Sequence, residues 1–314
     1  MKTWIFFFAA TSNLAAFAHD EAQTKGAHRP FSTSSMGKSP LRQSEPRRWT
    51  PSAIATGDHE STPAFTPDGR VMYFVRSNPD FAKSQIMQSR CSPRGWTTPT
   101  RASFGRPLPS VESDPFVTPD GKQIYFISTR GSPSDPHPGD FDIFSVKKLR
   151  NGDWGEPVRL PGPVNSDGNE FLPRTDRAGN LYFRSDRLGG LGLGEIYSGR
   201  ENKNGAWVIR NVGAPINTPA NEVEAHISAD GRQMIVTAER PTEPAHLYRY
   251  KLRKGYWVEV GPIQAKPDVY QVGPLLSPKG DRLLFAQTDG ARSGELFLTE
   301  LSPHSDKSWP PRCG

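Results

Sequence analysis

One motif recurs five times along the chain, and whatever fold it adopts must house five similar units. The first copy reads Glu60-Ser61-Thr62-Pro63, then Pro67-Asp68-Gly69, then Tyr73-Phe74. The second repeats it closely as Glu112-Ser113-Asp114-Pro115, Pro119-Asp120-Gly121 and Tyr125-Phe126. Later copies drift: Glu170 to Pro173 with Gly179 and Tyr182-Phe183, Glu222 to Ala225 with Asp230-Gly231, and Gln271 to Pro274 with Lys279-Gly280. The leading Glu or Gln residues stand 52, 58, 52 and 49 positions apart.

Each unit carries the chemistry of short strands joined by tight turns. In the Pro-Asp-Gly turn, Pro presets φ and Gly accepts a positive φ, so the chain reverses between two strands. Runs such as Val71–Val75 and Gln123–Ile127 predict the second strand. Gln85-Ile86-Met87, Asp142-Ile143-Phe144, Glu195-Ile196-Tyr197, His246-Leu247-Tyr248 and Glu295-Leu296-Phe297 predict the third. A fourth opens at Trp96, Trp154, Trp207 and Trp257. Four antiparallel strands per unit, repeated in series, predict the blades of a β-propeller. Gly and Pro together make 60 of 314 residues, which suits a turn-rich all-β chain and falls short of low complexity. The expected fold is therefore all-β, a propeller of five four-stranded blades, with Trp49 or Trp309 marking the outer strand that closes the last blade. A sixth, degenerate blade forms only if residues 38–58 combine with the C-terminal tail.

These units resemble the WD40-like propeller repeat of the TolB type, often called PD40. The resemblance rests on the Glu-x-x-Pro, Pro-Asp-Gly and Tyr-Phe core. It extends to Tyr182 through Arg187 followed by Gly189-Gly190 and Gly194-Glu195-Ile196-Tyr197, and to Trp154-Gly155-Glu156-Pro157 with Pro163-Val164-Asn165-Ser166 ahead of Glu170. It covers about residues 49–301 and implies an exported bacterial propeller without specifying an activity. TolB itself carries an α/β domain ahead of its propeller, whereas here a 30-residue linker is expected in that place. Prolyl-oligopeptidase-like relatives carry a hydrolase domain, but no Gly-x-Ser-x-Gly nucleophile elbow occurs in this chain.

The N-terminus reads as a secretory signal peptide, with Lys2, an apolar run from Trp4 to Phe17 and an Ala16-Phe17-Ala18 cleavage site. The expected boundaries are a signal peptide over 1–18, a disordered linker over 19–48 and the propeller over 49–314, in a periplasmic or secreted protein. The net charge of +6 is concentrated outside the propeller, since Lys2 contributes one charge and the linker three. That distribution argues against a nucleic-acid partner, which requires the basic charge on the folded domain. No apolar run long enough to span a membrane follows the leader, and a monomer is expected. Cys91 in the first unit and Cys313 near the C-terminus are candidates for a disulfide, because the first and last blades of a closed ring are neighbours. Two free thiols or intermolecular pairing are the alternatives.

Residues that recur in every unit are read as architectural, as with the Glu column (Glu60, Glu112, Glu170, Glu222) and the Arg column (Arg130, Arg187, Arg240). Function is sought where the repeat is broken. If the first strand of each blade lines the channel, positions two and four after the Glu column share a face. They hold Thr62 and Ala64, Asp114 and Phe116, Leu172 and Arg174, Glu224 and His226, Gly273 and Leu275. Asp114, Arg174, Glu224 and His226 are thus the candidate ligand-binding residues at the channel mouth, set against a plain solvated wall. The Gly189–Gly194 loop lacks the following helix that a phosphate cradle needs and is read as a flexible blade loop. The Ser132–Asp140 insertion is a candidate partner contact. No metal-ligand spacing is present, and no cofactor or catalytic residue is assigned. The reading that results is an exported, non-catalytic binding scaffold for an envelope protein or a small or saccharide ligand. The alternatives are a propeller lyase or glycosidase acting on a saccharide through channel-mouth acids, or a small-ligand sensor.

Overall fold

The computed structural model describes residues 43–131, 139–241, 244–289 and 292–313. The expected signal peptide, the linker through residue 42 and most of the Pro-rich insertion lie outside the described residues. After β1 (Arg47–Arg48), blade one comprises β2 (His59–Phe65), β3 (Val71–Ser77) and β4 (Gln85–Ser92), edged by β5 (Gly95–Trp96) and β6 (Thr100–Arg101). Blade two comprises β7 (Glu112–Val117), β8 (Gln123–Ser128), β9 (Asp142–Lys147) and β10 (Val158–Arg159). Blade three follows with β11 (Glu170–Thr175), β12 (Leu181–Ser185), β13 (Glu195–Glu201) and β14 (Trp207–Asn211). Blade four has β15 (Asn221–Ile227), β16 (Gln233–Glu239), β17 (His246–Arg253) and β18 (Tyr256–Pro262). Blade five is built from β19 (Gln271–Leu276), β20 (Arg282–Asp289) and β21 (Arg292–Glu300).

Blade five takes its outer strand from the other end of the chain. β1 pairs antiparallel with β21, placing Arg47 opposite Leu298 and Arg48 opposite Phe297. A parallel bridge from His59 to Gly294 then ties β21 to β2. Residues ahead of Trp49 therefore close the ring, and the tail around Trp309 forms no strand among the described residues. The five-bladed reading holds, and no sixth blade is assembled from the described parts of 38–58 and the tail.

The core lies between blades. Ala64, Tyr73, Phe126 and Phe144 pack blades one and two, and Phe116, Ile127, Phe183 and Tyr197 pack blades two and three. Ile196, Ala225, Val236 and Tyr248 continue to blade four, and Ile235, Leu247, Phe285 and Phe297 to blade five. Met72, Phe74, Ala286 and Leu296 seal five against one. No blade buries its faces alone, so the ring is stable only when it closes.

The recurring residues act locally. Thr66 Oγ1 donates to Asp68 at 2.6 Å while the Gly69 amide donates to Thr66 O at 2.8 Å, closing the first turn with Gly69 at φ +67°. Glu60, Glu170 and Glu222 each accept from a hydroxyl four residues earlier, on Thr56, Ser166 and Thr218. Arg130 pairs with Glu112 and Arg187 with Glu170, each within its own blade, and Arg76 serves Glu60 in the same way. Arg240 departs from the column: it lies over the Tyr248 ring at 3.5 Å and pairs with Glu259 at 2.9 Å.

Candidate functional site

The inner strands β2, β7, β11, β15 and β19 do not run straight along the axis. Register slips between Ser61 and Ala64, Ser113 and Phe116, Phe171 and Arg174, Glu222 and Glu224, and Val272 and Leu275. In four blades the bulge puts the residue before the Pro in the left-handed region, at Thr62, Asp114, Leu172 and Gly273, with φ of 46°, 57°, 47° and 63°. Blade four has Ala225 where the others have Pro, and Glu224 reaches the axis without that twist.

The four ionisable residues singled out in the sequence do meet. Asp114 Oδ2 accepts the Leu172 amide of the next blade at 3.0 Å, and Glu224 Oε2 accepts the Gly273 amide of its next blade at 2.6 Å. Arg174 lies between them, 1% exposed, donating to Pro173 O at 2.9 Å and lying 5.4 Å over the Phe116 ring. His226 meets Phe116 edge-on with ring centroids 6.1 Å apart.

They do not form an open mouth. Asp114, Arg174 and His226 are buried, and Glu224 is half-buried. The sequence placed these side chains on a channel wall or mouth; in the folded ring Asp114, Arg174 and His226 are buried instead. Burial accordingly dominates their titration. It pushes the Glu224 carboxyl up to about 8, helped by the Asp114 charge and opposed by the Gly273 amide and Arg174. It raises Asp114, lowers His226 well below the imidazole range, and brings Arg174 down to about 10. Near neutral pH, Glu224 keeps its proton and His226 is uncharged. Nε and Nη2 of Arg174 and Nδ1 of His226 have no hydrogen-bond partner among the described residues.

Above this plug, at the Asp-Gly-turn end of the axis, lies a cavity of about 250 Å³. Phe65, Phe116, Leu275 and Leu276 form its walls and His226 contributes to its floor. The tail adds to the lining from the five blades: Trp309 and Pro311 line the cavity, and Trp309 meets Phe65 edge-on at 6.3 Å. Asp281 accepts the Asp306 amide at 2.7 Å, Arg282 donates to the carbonyls of Asp306 and Trp309, and a disulfide joins Cys313 to Cys91. Arg177 stands exposed at the rim.

Sequence reasoning placed Phe116 and Leu275 on the channel face but missed Phe65, Leu276, Arg177 and the tail. The signal for Arg177 was present, because the third turn reads Asp176-Arg177-Ala178-Gly179 where the first reads Thr66-Pro67-Asp68-Gly69, which puts an Arg in the place of the turn's Pro. A second, polar cavity of about 390 Å³ near Arg106, Trp154 and Glu156 has its guanidinium groups engaged, Arg130 by Glu112 and Arg159 by Asp142 at 2.6 Å. Among the described residues no cluster of His, Cys, Asp or Glu has the arrangement of a metal site. No helix among them is long and apolar enough to cross a membrane.

No family model matches the chain, and no curated protein does. Its TolB-type resemblance is met again among solved structures. It is similar to TolB from Acinetobacter baumannii, at 18% identity and a TM-score of 0.49, over 80% of this chain and 56% of that one. It thus spans little more than half of that protein's length. A putative TolB from Agrobacterium tumefaciens gives 17% identity and a TM-score of 0.49, over 76% and 73% of the two chains. A gluconolactonase from Xanthomonas campestris, XC5397, gives 12% identity and a TM-score of 0.45, over 83% and 96%. Likenesses this distant extend to a scaffold shared by binding proteins and enzymes and say nothing of activity.

Proposed function

We propose that this chain is an exported, non-catalytic binding module of the cell envelope, periplasmic or secreted, which holds a partner or ligand at the Asp-Gly-turn mouth of its channel. The observation that carries this reading is the separation of chemistry from access. The two axial carboxylates are spent on backbone amides beneath the floor, while the surface a partner can reach is apolar, with Arg177 at its rim. A small apolar cavity with few polar groups is a binding surface. Export is supported by the leader pattern and by the Cys91–Cys313 bond, which persists in an oxidising compartment.

Glu224, protonated near neutral pH, is the one feature of a general acid and favours the saccharide-cleaving alternative. Both readings are tested with a photoreactive benzoylphenylalanine at Ala229, which lines the cavity. In the native envelope it is expected to give a discrete adduct that Leu275→Trp, by filling the cavity, abolishes. No adduct, together with turnover of an envelope glycan that Glu224→Gln abolishes, overturns the binding reading.

A further inference from the structure

The strongest unexplained surface lies on the opposite face, away from the turn-face cavity. Strands alternate in direction within each blade, so the loops joining second to third strands emerge there beside the links between blades. In blade three that loop reads Leu188-Gly189-Gly190-Leu191-Gly192-Leu193-Gly194, seven residues without one polar side chain. Its leucines are turned outward, with Leu188, Leu191 and Leu193 exposed by 101%, 71% and 77%.

This exposure is built into the backbone. A Cβ at Gly190 would lie 2.6 Å from Glu195 Oε2, one at Gly192 would collide with Ala220 O, and one at Gly194 with the Arg184 guanidinium. The amides of Leu191 and Gly192 donate to the Glu195 carboxylate, so two groups that resist leaving water are already satisfied. Gly194 bridges to Asn221 of blade four. The sequence suggested a flexible loop; the structure shows one clamped between Glu195 and the neighbouring blade. The link it leans on, 212–220, also lacks any charged residue, and Ala214, Pro215 and Pro219 are exposed there.

We propose that this loop is a lipid-contact element, and that its three leucines dip into the apolar boundary of a bilayer while the uncharged 212–220 link lies against the headgroups. The chemistry favours lipid over a protein groove. Protein hot spots rely on Trp, Tyr and Arg, with Leu under-represented, and need a broad complementary surface. A small convex tip made only of Leu and Gly suits the bilayer interface, where Leu is among the favourable residues. Because the leucine tip and the 212–220 link carry no charge, and the adjoining Arg187 and Glu195 are held by Glu170 and by the loop's own amides, attachment is driven by apolar burial and is insensitive to salt.

The test is co-sedimentation of the full chain with phosphatidylcholine vesicles, comparing the native protein with Leu188→Ser/Leu191→Ser/Leu193→Ser. Any leader retained is present in both proteins and cancels. The triple variant is expected to bind about tenfold more weakly or worse, and about 0.5 M salt is expected to leave native binding unchanged. A nitrobenzoxadiazole label on Leu191→Cys, with the native disulfide intact, should shift to the blue on adding vesicles whether or not the triple variant folds. Equal sedimentation of the two proteins, or a label that stays in water, overturns the proposal. So does failure to bind vesicles when position 191 crosslinks to an envelope protein, which would make the loop a protein contact.

Discussion

Replacing Glu224 by Gln probes the axial plug directly. Burial holds this carboxyl at about 8 in the folded protein, against an ordinary value of 4.5. The unfolded chain gives up the proton near the ordinary value and the folded chain keeps it. Between the two values the folded state binds more protons, and stability falls as pH rises. Taken alone, the group costs the folded state at most about 3.5 kcal/mol between about pH 5 and pH 8. Asp114 and Arg174 are already counted in that value, and solvent screening of the partly exposed Glu224 side chain brings the expected effect to about 2 kcal/mol. Gln retains an oxygen to accept the Gly273 amide, now 2.6 Å away, and has no proton to lose. The variant should match the native protein within about 1 kcal/mol near pH 5 and exceed it by about 2 kcal/mol near pH 8. Urea unfolding followed by tryptophan fluorescence, with midpoints compared at constant slope, gives the difference at each pH. Glu170, raised to about 7 by burial, titrates in the same window but does so in both proteins, so the difference belongs to Glu224. Parallel pH profiles for the two proteins would refute the desolvated plug.

Two further outcomes are expected. His59, buried between Phe81 and Tyr270 with its ring value lowered to about 4 by burial, contributes stability that is whole above about 6.5 and lost as pH falls through 4. His59→Asn should therefore lessen the acid loss of stability, and an unchanged acid limb in urea titrations would contradict it. The Cys91–Cys313 bond closes a span of 222 residues, for which loop-closure entropy sets a ceiling of about 5 kcal/mol, so Cys313→Ser should cost about 3–5 kcal/mol and expose residues 302–313 to limited proteolysis. The pairing of β1 with β21 still closes the ring in that variant, so a complete loss of folding would show that the tail, not β1, is the clasp.

The repeat made the blades legible because the Asp-Gly turns and Glu column depend on contacts within one unit. Closure was not legible in the same way. Trp49 and Trp309 sit at equivalent distances beyond the flanking units, and only the vacant edge of β21 decides between them in favour of β1. Arg240 occupies its column position, yet the extended β18 offers it Glu259 and Tyr248 offers its ring, contacts outside the repeat. Convergence of Asp114, Arg174, Glu224 and His226 followed from strand alternation, but their burial depends on ring radius, which no single unit encodes. The glycine run looked slack because its clamp, Glu195 and the Ala220 carbonyl, lies partly in another blade.

An odd ring explains why the repeat breaks where it does. The inner strands bulge toward the axis and bring backbone amides there that need acceptors. Asp114 of blade two serves Leu172 of blade three, and Glu224 of blade four serves Gly273 of blade five. Pairing by twos leaves blade one over. There the chain solves the problem by close approach: a Cβ at 273 would sit 2.6 Å from the Thr62 amide nitrogen, so that position must be Gly, although Thr62, Asp114 and Leu172 take a similar positive φ at the same place in their blades. Arg174 then supplies the positive charge that the two carboxyls face. On this account the axial acids complete a five-membered ring. On the binding reading proposed above, a partner engages the surfaces left over, the tail-walled cavity at one end and the leucine loop at the other.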